Sequence, residues 1–286
     1  MKRGKDLIVV TGATGQQGGA TARELLGAGH RIRAMTRKPE GDAARALAAL
    51  GAEIVRGDLD DAASLAEAFA GAWGLFAVQN TWEAGVEGEE AQGKRVAAVA
   101  KAAGIRHFVY TSVGSAYRQT GIPHFDNKAR VEQTVQAMQF PSHTIIRPVF
   151  FMENFVSPWF KPSIDKGTLA LGIDPSTKLQ MIAVGDIGTY GRLAFERHAD
   201  LNGRAIDIAG DELAPPVIAE LISKAAGRPV THFQVPLDEV RRSSQEFAIM
   251  LEWFDAVGYD ADIEGTAREF GIEPTRFADW VKTVDW

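Results

Sequence analysis

The residues best suited to chemistry stand near the start of the chain, in the run Thr11-Gly12-Ala13-Thr14-Gly15-Gln16-Gln17-Gly18-Gly19. It follows directly on the apolar, strand-like segment Leu7-Ile8-Val9-Val10 and opens a segment, Gln16 to Ala28, in which Ala20, Leu25 and Leu26 can face a core. A glycine turn at a helix start presents unpaired backbone N–H groups, and the partial positive charge there favours a phosphate. Gly12 can take the tight turn, Gly15 lets a pyrophosphate approach the backbone, and Gly18 lets the helix pack close on the strand. Thr14, Gln16 and Gln17 complete the cradle. The spacing is G-x-x-G-x-x-G, not G-x-G-x-x-G, so the motif by itself also fits a glycine-rich connection that binds nothing. Its context is more telling, because a second strand-like segment, Arg31 to Thr36, completes a βαβ unit.

The end of that second segment carries a choice of ligand. A site for NAD would place Asp or Glu there to hold the ribose hydroxyls. This chain has Thr36-Arg37-Lys38 instead. A guanidinium at Arg37 can fork onto a 2′-phosphate and stack on adenine, which favours NADP over NAD. The plainer reading is a solvated basic turn.

Around these residues the first half alternates strand and helix. Helices are expected at Asp42 to Leu50, Ser64 to Phe69, Gly88 to Ala103 and Pro123 to Ala137. Asp60 or Asp61 caps the second of these, and Gly104 ends the third. Strands are expected at Ala52 to Arg56, Trp73 to Val78, His107 to Thr111 and His143 to Arg147. The alternation implies an α/β fold with a doubly wound parallel sheet, its right-handed crossovers bringing every strand C-terminus to one edge. Ligands sit at that edge in such sheets. Arg37, Asp58, Leu59, Gln79, Asn80, Thr81, Thr111, Ser112 and Pro148 are candidates on that ground. Asp58 could bond the adenine amino group or simply cap a turn, and Gln79 and Asn80 earn their place by position alone.

Beyond Pro148 the alternation breaks down and aromatics cluster at Phe150, Phe151, Phe155, Trp159 and Phe160. Helices are expected at Ile187 to Glu196 and Pro216 to Ala226, strands at Ala205 to Ile208 and Thr231 to Val235, and the end reads as mostly helical. The organisation is therefore a domain over residues 1–150 and a smaller α+β lobe over 151–286, lying over the ligand edge, some of whose segments can return to the main sheet. Trp82 with Phe150, Phe151, Phe155 and Trp159 could line a cavity for a flat molecule, although core packing accounts better for at least half of them.

Composition sets the outer bounds. A chain of 286 residues with 45% hydrophobic and 24% charged content is ordinary for a globular protein with ample core. The net charge of −6 disfavours bulk binding to nucleic acid. With no cysteine there is no disulfide, thiol nucleophile or cysteine metal site, and no metal site is expected. The basic leader Met1 to Lys5 runs into a strand rather than an apolar secretory segment, and no apolar run approaches membrane-spanning length, so a cytoplasmic location is expected.

Short-chain dehydrogenases use a Tyr and a Lys four residues apart on one helix face, with a Ser near the fifth strand. The Lys holds the nicotinamide ribose and lowers the Tyr pKa for proton transfer. Here His124-Phe125-Asp126-Asn127-Lys128 puts Lys128 at the Lys position and His124 at that of the Tyr, with Ser112 or Thr111 near the Ser. Tyr117 lies too far before Lys128 to substitute. His124 could deliver a proton, since imidazole titrates near neutrality, or merely pack beside Phe125. Lys128 could be a solvated helix lysine, but its spacing from the fifth strand favours the ribose-binding reading.

Taken together, Thr11 to Gly19, Thr36-Arg37-Lys38-Pro39, Gly57-Asp58-Leu59-Asp60-Asp61, His124 to Glu132, Arg147 to Asn154 and the tail from Trp253 to Tyr259 with Trp280 resemble the NmrA-like family of atypical short-chain dehydrogenases over essentially the whole chain. The resemblance implies a Rossmann domain with a small C-terminal domain, NADP along the strand edge, and Phe151, Glu153 and Asn154 near the nicotinamide. It implies two alternative activities. One is NADPH-dependent reduction of a flat apolar electrophile such as a quinone, which needs little acid help. The other is non-catalytic sensing of NADP(H) for a regulatory protein partner.

Overall fold

The computed structural model describes residues 6–286, so the basic leader lies outside the described residues. Through the first half the chain runs β1 (Leu7–Val10), α1 (Gln16–Gly27), β2 (Arg31–Thr36), α2 (Asp42–Ala49), β3 (Glu53–Arg56), α3 (Ala62–Phe69), β4 (Gly74–Ala77), α4 (Thr81–Ala102), β5 (His107–Thr111), α5 (Pro123–Ala137) and β6 (Ser142–Pro148). It continues through β7 (Phe150–Phe151), α6 (Lys161–Ile164), β8 (Thr168–Leu171), β9 (Leu179–Ile182), α7 (Val184–Glu196), β10 (Arg204–Ile208), β11 (Asp211–Leu213), α8 (Pro215–Ala226) and β12 (Thr231–Gln234), then a helical tail.

Seven strands form one mostly parallel sheet in the order β10-β6-β5-β4-β1-β2-β3. This is the doubly wound Rossmann arrangement. After β3 the chain crosses back over β1 to lay down β4 on its other side, so the order reverses between β1 and β4, the switch point at whose strand C-termini sheets of this kind take their ligands. β1, β4 and β5 are buried along their whole length, as strands covered on both faces must be. Leu65, Phe69, Leu75, Val96, Phe108, Val131 and Ile145 pack one face of the sheet against α3, α4 and α5. Glycines let elements close on one another. A Cβ on Gly93 of α4 would sit 2.8 Å from the Val131 methyls of α5, so these two helices meet at that point.

The chain divides into two compact units, and the division is interleaved rather than a single cut. The first holds residues up to Ala116, with His124–Arg147 and Ile187–Ile206; the second holds Tyr117–Pro123, Pro148–Asp186 and Asp207–Trp286. Most of α7 and of β10 thus belongs with the Rossmann sheet. Within the second unit β9 pairs antiparallel with β11 and parallel with β7, while β8 and β12 form a parallel pair. Phe155 meets Phe150 at a tilt and Phe160 and Phe277 edge to face, and this buried aromatic cluster lies in the core of that unit. Among the described residues no helix is long and apolar enough to cross a membrane.

Candidate dinucleotide site

The glycine turn is built by Thr11. Its N–H bonds the Phe76 carbonyl at 3.0 Å, and its hydroxyl donates to the Val78 carbonyl at 3.1 Å while accepting from the Val78 N–H at 2.9 Å. This clamp extends the β1–β4 seam one step past the sheet and leaves Gly12 against Val78. Gly12 takes φ +56°, and a Cβ there would lie 2.6 Å from Val78 Cγ1. A Cβ on Gly18 would lie 2.4 Å from the Gly12 carbonyl oxygen, too close for any side chain. Helix α1 therefore starts directly on the turn. No side chain caps it and no acid sits in its first turn, so its first N–H groups and positive end lie unneutralised at the strand C-terminal edge.

Two more observations point to a polar ligand at this edge. Gln79, just past β4, is only 5% exposed, and neither its amide oxygen nor its nitrogen has a partner among the described residues. The hydroxyl of Ser112, just past β5, is buried in the same condition. Orphaned buried polar groups carry a desolvation cost unless something bonds them. Together with the glycine cradle, they fit a dinucleotide.

The other candidates are placed as follows. Thr14 and Thr36 approach through their hydroxyls at 3.4 Å, joining the turn to the end of β2. Gln17 accepts a hydrogen bond from the Thr111 hydroxyl at 2.6 Å, tying α1 to the end of β5. Arg37 follows β2 directly and is exposed, its Nη2 2.5 Å from Glu83 Oε2. Asp58 serves its own turn, accepting from the Asp60 N–H at 3.0 Å, and the Leu59 carbonyl accepts from Arg95 at 2.7 Å. Asn80 caps α4, its side-chain oxygen accepting from the Trp82 N–H at 3.1 Å. Helix α4 begins at Thr81, seven residues before the expected Gly88, and Gly85 at φ +72° breaks it after one turn. His124 is buried, its ring tilted against Trp82 and edge-on to Phe125.

Lys128 sits in a network that the sequence reading did not foresee. Its ammonium lies 2.5 Å from Glu89 Oε1, and Glu89 also accepts from Asn127 at 2.9 Å and from the Thr81 hydroxyl. Glu89 is 1% exposed. The meeting follows from the helix contact: Gly93 touches Val131, and one turn earlier on each helix Glu89 faces Asn127 and Lys128. Burial pushes the Glu89 carboxyl up, but the Lys128 charge and the hydrogen bonds from Lys128, Thr81 and Asn127 hold it below its ordinary 4.5. A signal for Glu89 did exist, because it falls in step with Val86, Gly93, Val96 and Ala100 on the packed stripe of α4. An acid in that phase needs a partner.

Phe151, Glu153 and Asn154 belong to the second unit. There Glu153 accepts from the Val184 N–H at 3.0 Å and from the Trp280 indole at 3.1 Å, and burial raises its pKa.

The profile of the NmrA-like family matches residues 4–282. The chain is 34% identical over 167 residues to an NmrA-like family domain-containing oxidoreductase, FrzB, of Cladobotryum sp., an alignment covering 54% of this chain and half of that one. In structure it is similar to NmrA, a negative transcriptional regulator, solved with NADP (TM-score 0.81, 23% identity, 99% of this chain and 96% of that one). It is equally similar to an NADPH-dependent quinone oxidoreductase from Escherichia coli solved with NADPH (TM-score 0.82, 23% identity, 96% of this chain and 99% of that one).

Proposed function

The chain belongs to the NmrA-like family, and from that premise we propose that it binds NADP(H) at the C-terminal edge of its seven-stranded sheet and reduces a flat, apolar electrophile of the quinone class. The observation that carries this reading is the uncapped start of α1 after β1, at the same strand C-terminal edge as the orphaned Gln79 amide after β4 and Ser112 hydroxyl after β5. The similar structures solved with NADP and NADPH support it.

In this reading Gly12, Thr14, Gly15, Gln16, Gln17 and Gly18 hold the pyrophosphate, and Arg37 receives the 2′-phosphate. Asp58 and Leu59 flank the adenine, while Gln79, Asn80 and Thr81 line the edge. Lys128 holds the nicotinamide ribose with the N–H groups that Glu89 leaves open. NADPH, when bound, supplies a hydride, two electrons and one proton. The protein's own work is to orient and to exclude water, which suffices for a quinone because its reduced oxyanion is stable and takes its proton from solvent. His124 stands at the position where a proton donor would act.

One observation favours a second reading, a non-catalytic NADP(H) sensor for a protein partner. The residue four before Lys128 is a histidine in contact with two aromatic rings, not the tyrosine of the catalytic pair. Calorimetric titration with NADPH, NADP⁺, NADH and NAD⁺, followed by NADPH oxidation against a panel of quinones, separates the two. Binding with saturable turnover is the result expected. Tight binding with no turnover selects the sensor, and no binding by any of the four overturns both.

A further inference from the structure

Arg37, the residue on which the choice between NADP and NAD turns, already holds an anion. Its guanidinium is paired with Glu83 at 2.5 Å, across 46 residues of sequence. The other oxygen of the same carboxylate faces the Asn80 amide nitrogen at 3.4 Å. One side chain therefore occupies hydrogen-bonding groups of two residues at the ligand edge. Glu83 sits in the single turn between the Asn80 cap and the break at Gly85. Gly85 holds φ +72° with nothing within 4 Å of a Cβ there, so the glycine is present for its backbone conformation and not for lack of space. Arg37 and Glu83 are both more than half exposed, at 62% and 55%. The pair can open at little cost, and neither partner is needed for the core.

Resting on the reading of Arg37 as the 2′-phosphate residue, we propose that Glu83 is a specificity-determining residue, an internal competitor for the 2′-phosphate that narrows the chain's preference for NADP over NAD. A phosphate arriving at Arg37 must displace the carboxylate and then lie near its negative charge. NAD, with a neutral ribose hydroxyl at that point, meets neither penalty. Removing Glu83 frees Arg37, with Lys38 beside it in sequence, for the phosphate alone. From the small worth of an exposed ion pair and the screened repulsion between carboxylate and phosphate, E83Q is expected to tighten NADP⁺ by about 3- to 10-fold.

The experiment is calorimetric titration of the full chain with NADP⁺ and NAD⁺ at one salt concentration, for the native protein, E83Q, R37A and the R37A/E83Q double variant. E87Q, which removes an exposed carboxylate from the same helix beyond the break, controls for net charge. The expected result is that E83Q tightens NADP⁺ by that factor and shifts NAD⁺ less than twofold. E83Q is expected to do nothing in the R37A background, and E87Q nothing in either. If R37A weakens NADP⁺ selectively while E83Q leaves it unchanged, Arg37 stands and the role of Glu83 is overturned. If E83Q tightens both dinucleotides alike, or E87Q matches it, the effect is one of bulk charge and the proposal is equally overturned. If R37A shifts both dinucleotides equally, the reading of Arg37 fails, and this inference falls with it.

Discussion

A double-mutant cycle on Glu89 and Lys128 tests whether the network at the foot of α5 is one unit. Glu89 is almost fully buried, and the Lys128 side chain is 12% exposed. Breaking a buried ion pair from one side costs about 3–5 kcal/mol, because the remaining charge is left in a poor dielectric. Lys128→Met strands the carboxylate, but the Thr81 and Asn127 donors remain and place the loss near the lower end of that range. Glu89→Gln keeps an acceptor for those donors and strands an ammonium with some access to water, so about 2–3 kcal/mol is expected. The double variant removes both charges and should cost less than the sum by about 2 kcal/mol. Glu90 and Lys94, one turn apart on α4 and better solvated, supply the comparison, with a coupling of about 0.3–0.5 kcal/mol expected. Urea unfolding at pH 7 measures all four corners of each cycle. The Glu89 contribution also has a fixed pH sense. Its folded pKa lies below 4.5, so the stabilisation is complete above about pH 4.5 and fades as pH falls through the folded value. Additivity within about 0.5 kcal/mol for Glu89 and Lys128 would refute the network, and with it the idea that Lys128 is held in place from behind.

Other consequences are open to simpler checks. Gly18→Ala forces a methyl against the Gly12 and Thr11 carbonyls and should cost at least about 1–3 kcal/mol; Gly27→Ala, which meets nothing, should be neutral or gain up to about 1 kcal/mol, and equal effects would contradict the close approach. His107 donates from Nε2 to the Ala194 carbonyl and shares a hydrogen bond between Nδ1 and the Ser142 hydroxyl, and burial, helped by the charges of His198 and His143, lowers its pKa to about 3. A depressed base favours the neutral native form, so its share of stability is complete above about pH 6.5 and is lost as pH falls towards 3. An NMR titration showing the His107 ring protonating near 6.5 would refute that. His124→Ala should retain quinone reduction within about threefold, whereas a loss of a hundredfold or more would make His124 the general acid.

Local pattern carried much of the Rossmann unit into view. The spans Arg31–Thr36, His107–Thr111 and Pro123–Ala137 are found where apolar runs and helical spacing put them. The second unit was less legible for a physical reason. β7, β8, β9 and β11 are two to four residues long. Their order depends on partners far away, as with Met181 against Asp211 and Thr168 against Thr231. Such strands have little periodicity of their own, and the glycines and prolines around them read as loop.

The candidate site divides the same way. Gly12, Gly15, Gly18 and Arg37 are legible because turn conformation and strand-end position are local properties. The spacing of His124 and Lys128 is local too, and it places both on one face of α5. What that face meets is not local. Trp82 on His124 and Glu89 on Lys128 both come from α4, and the approach of α4 to α5 is set where Gly93 admits Val131. That contact brings Glu89 to Lys128, whereas Trp82 reaches His124 from the separate turn before the break at Gly85. Together they turn a pair that reads as solvent-facing chemistry into a histidine in contact with two rings and a lysine anchored to a buried acid. The nearest sequence signal was the phase of Glu89, an acid on the packed stripe of its helix. Such a residue must find a cation or several donors, and Lys128, one turn before the Val131 contact, is the cation the helix pairing brings to it.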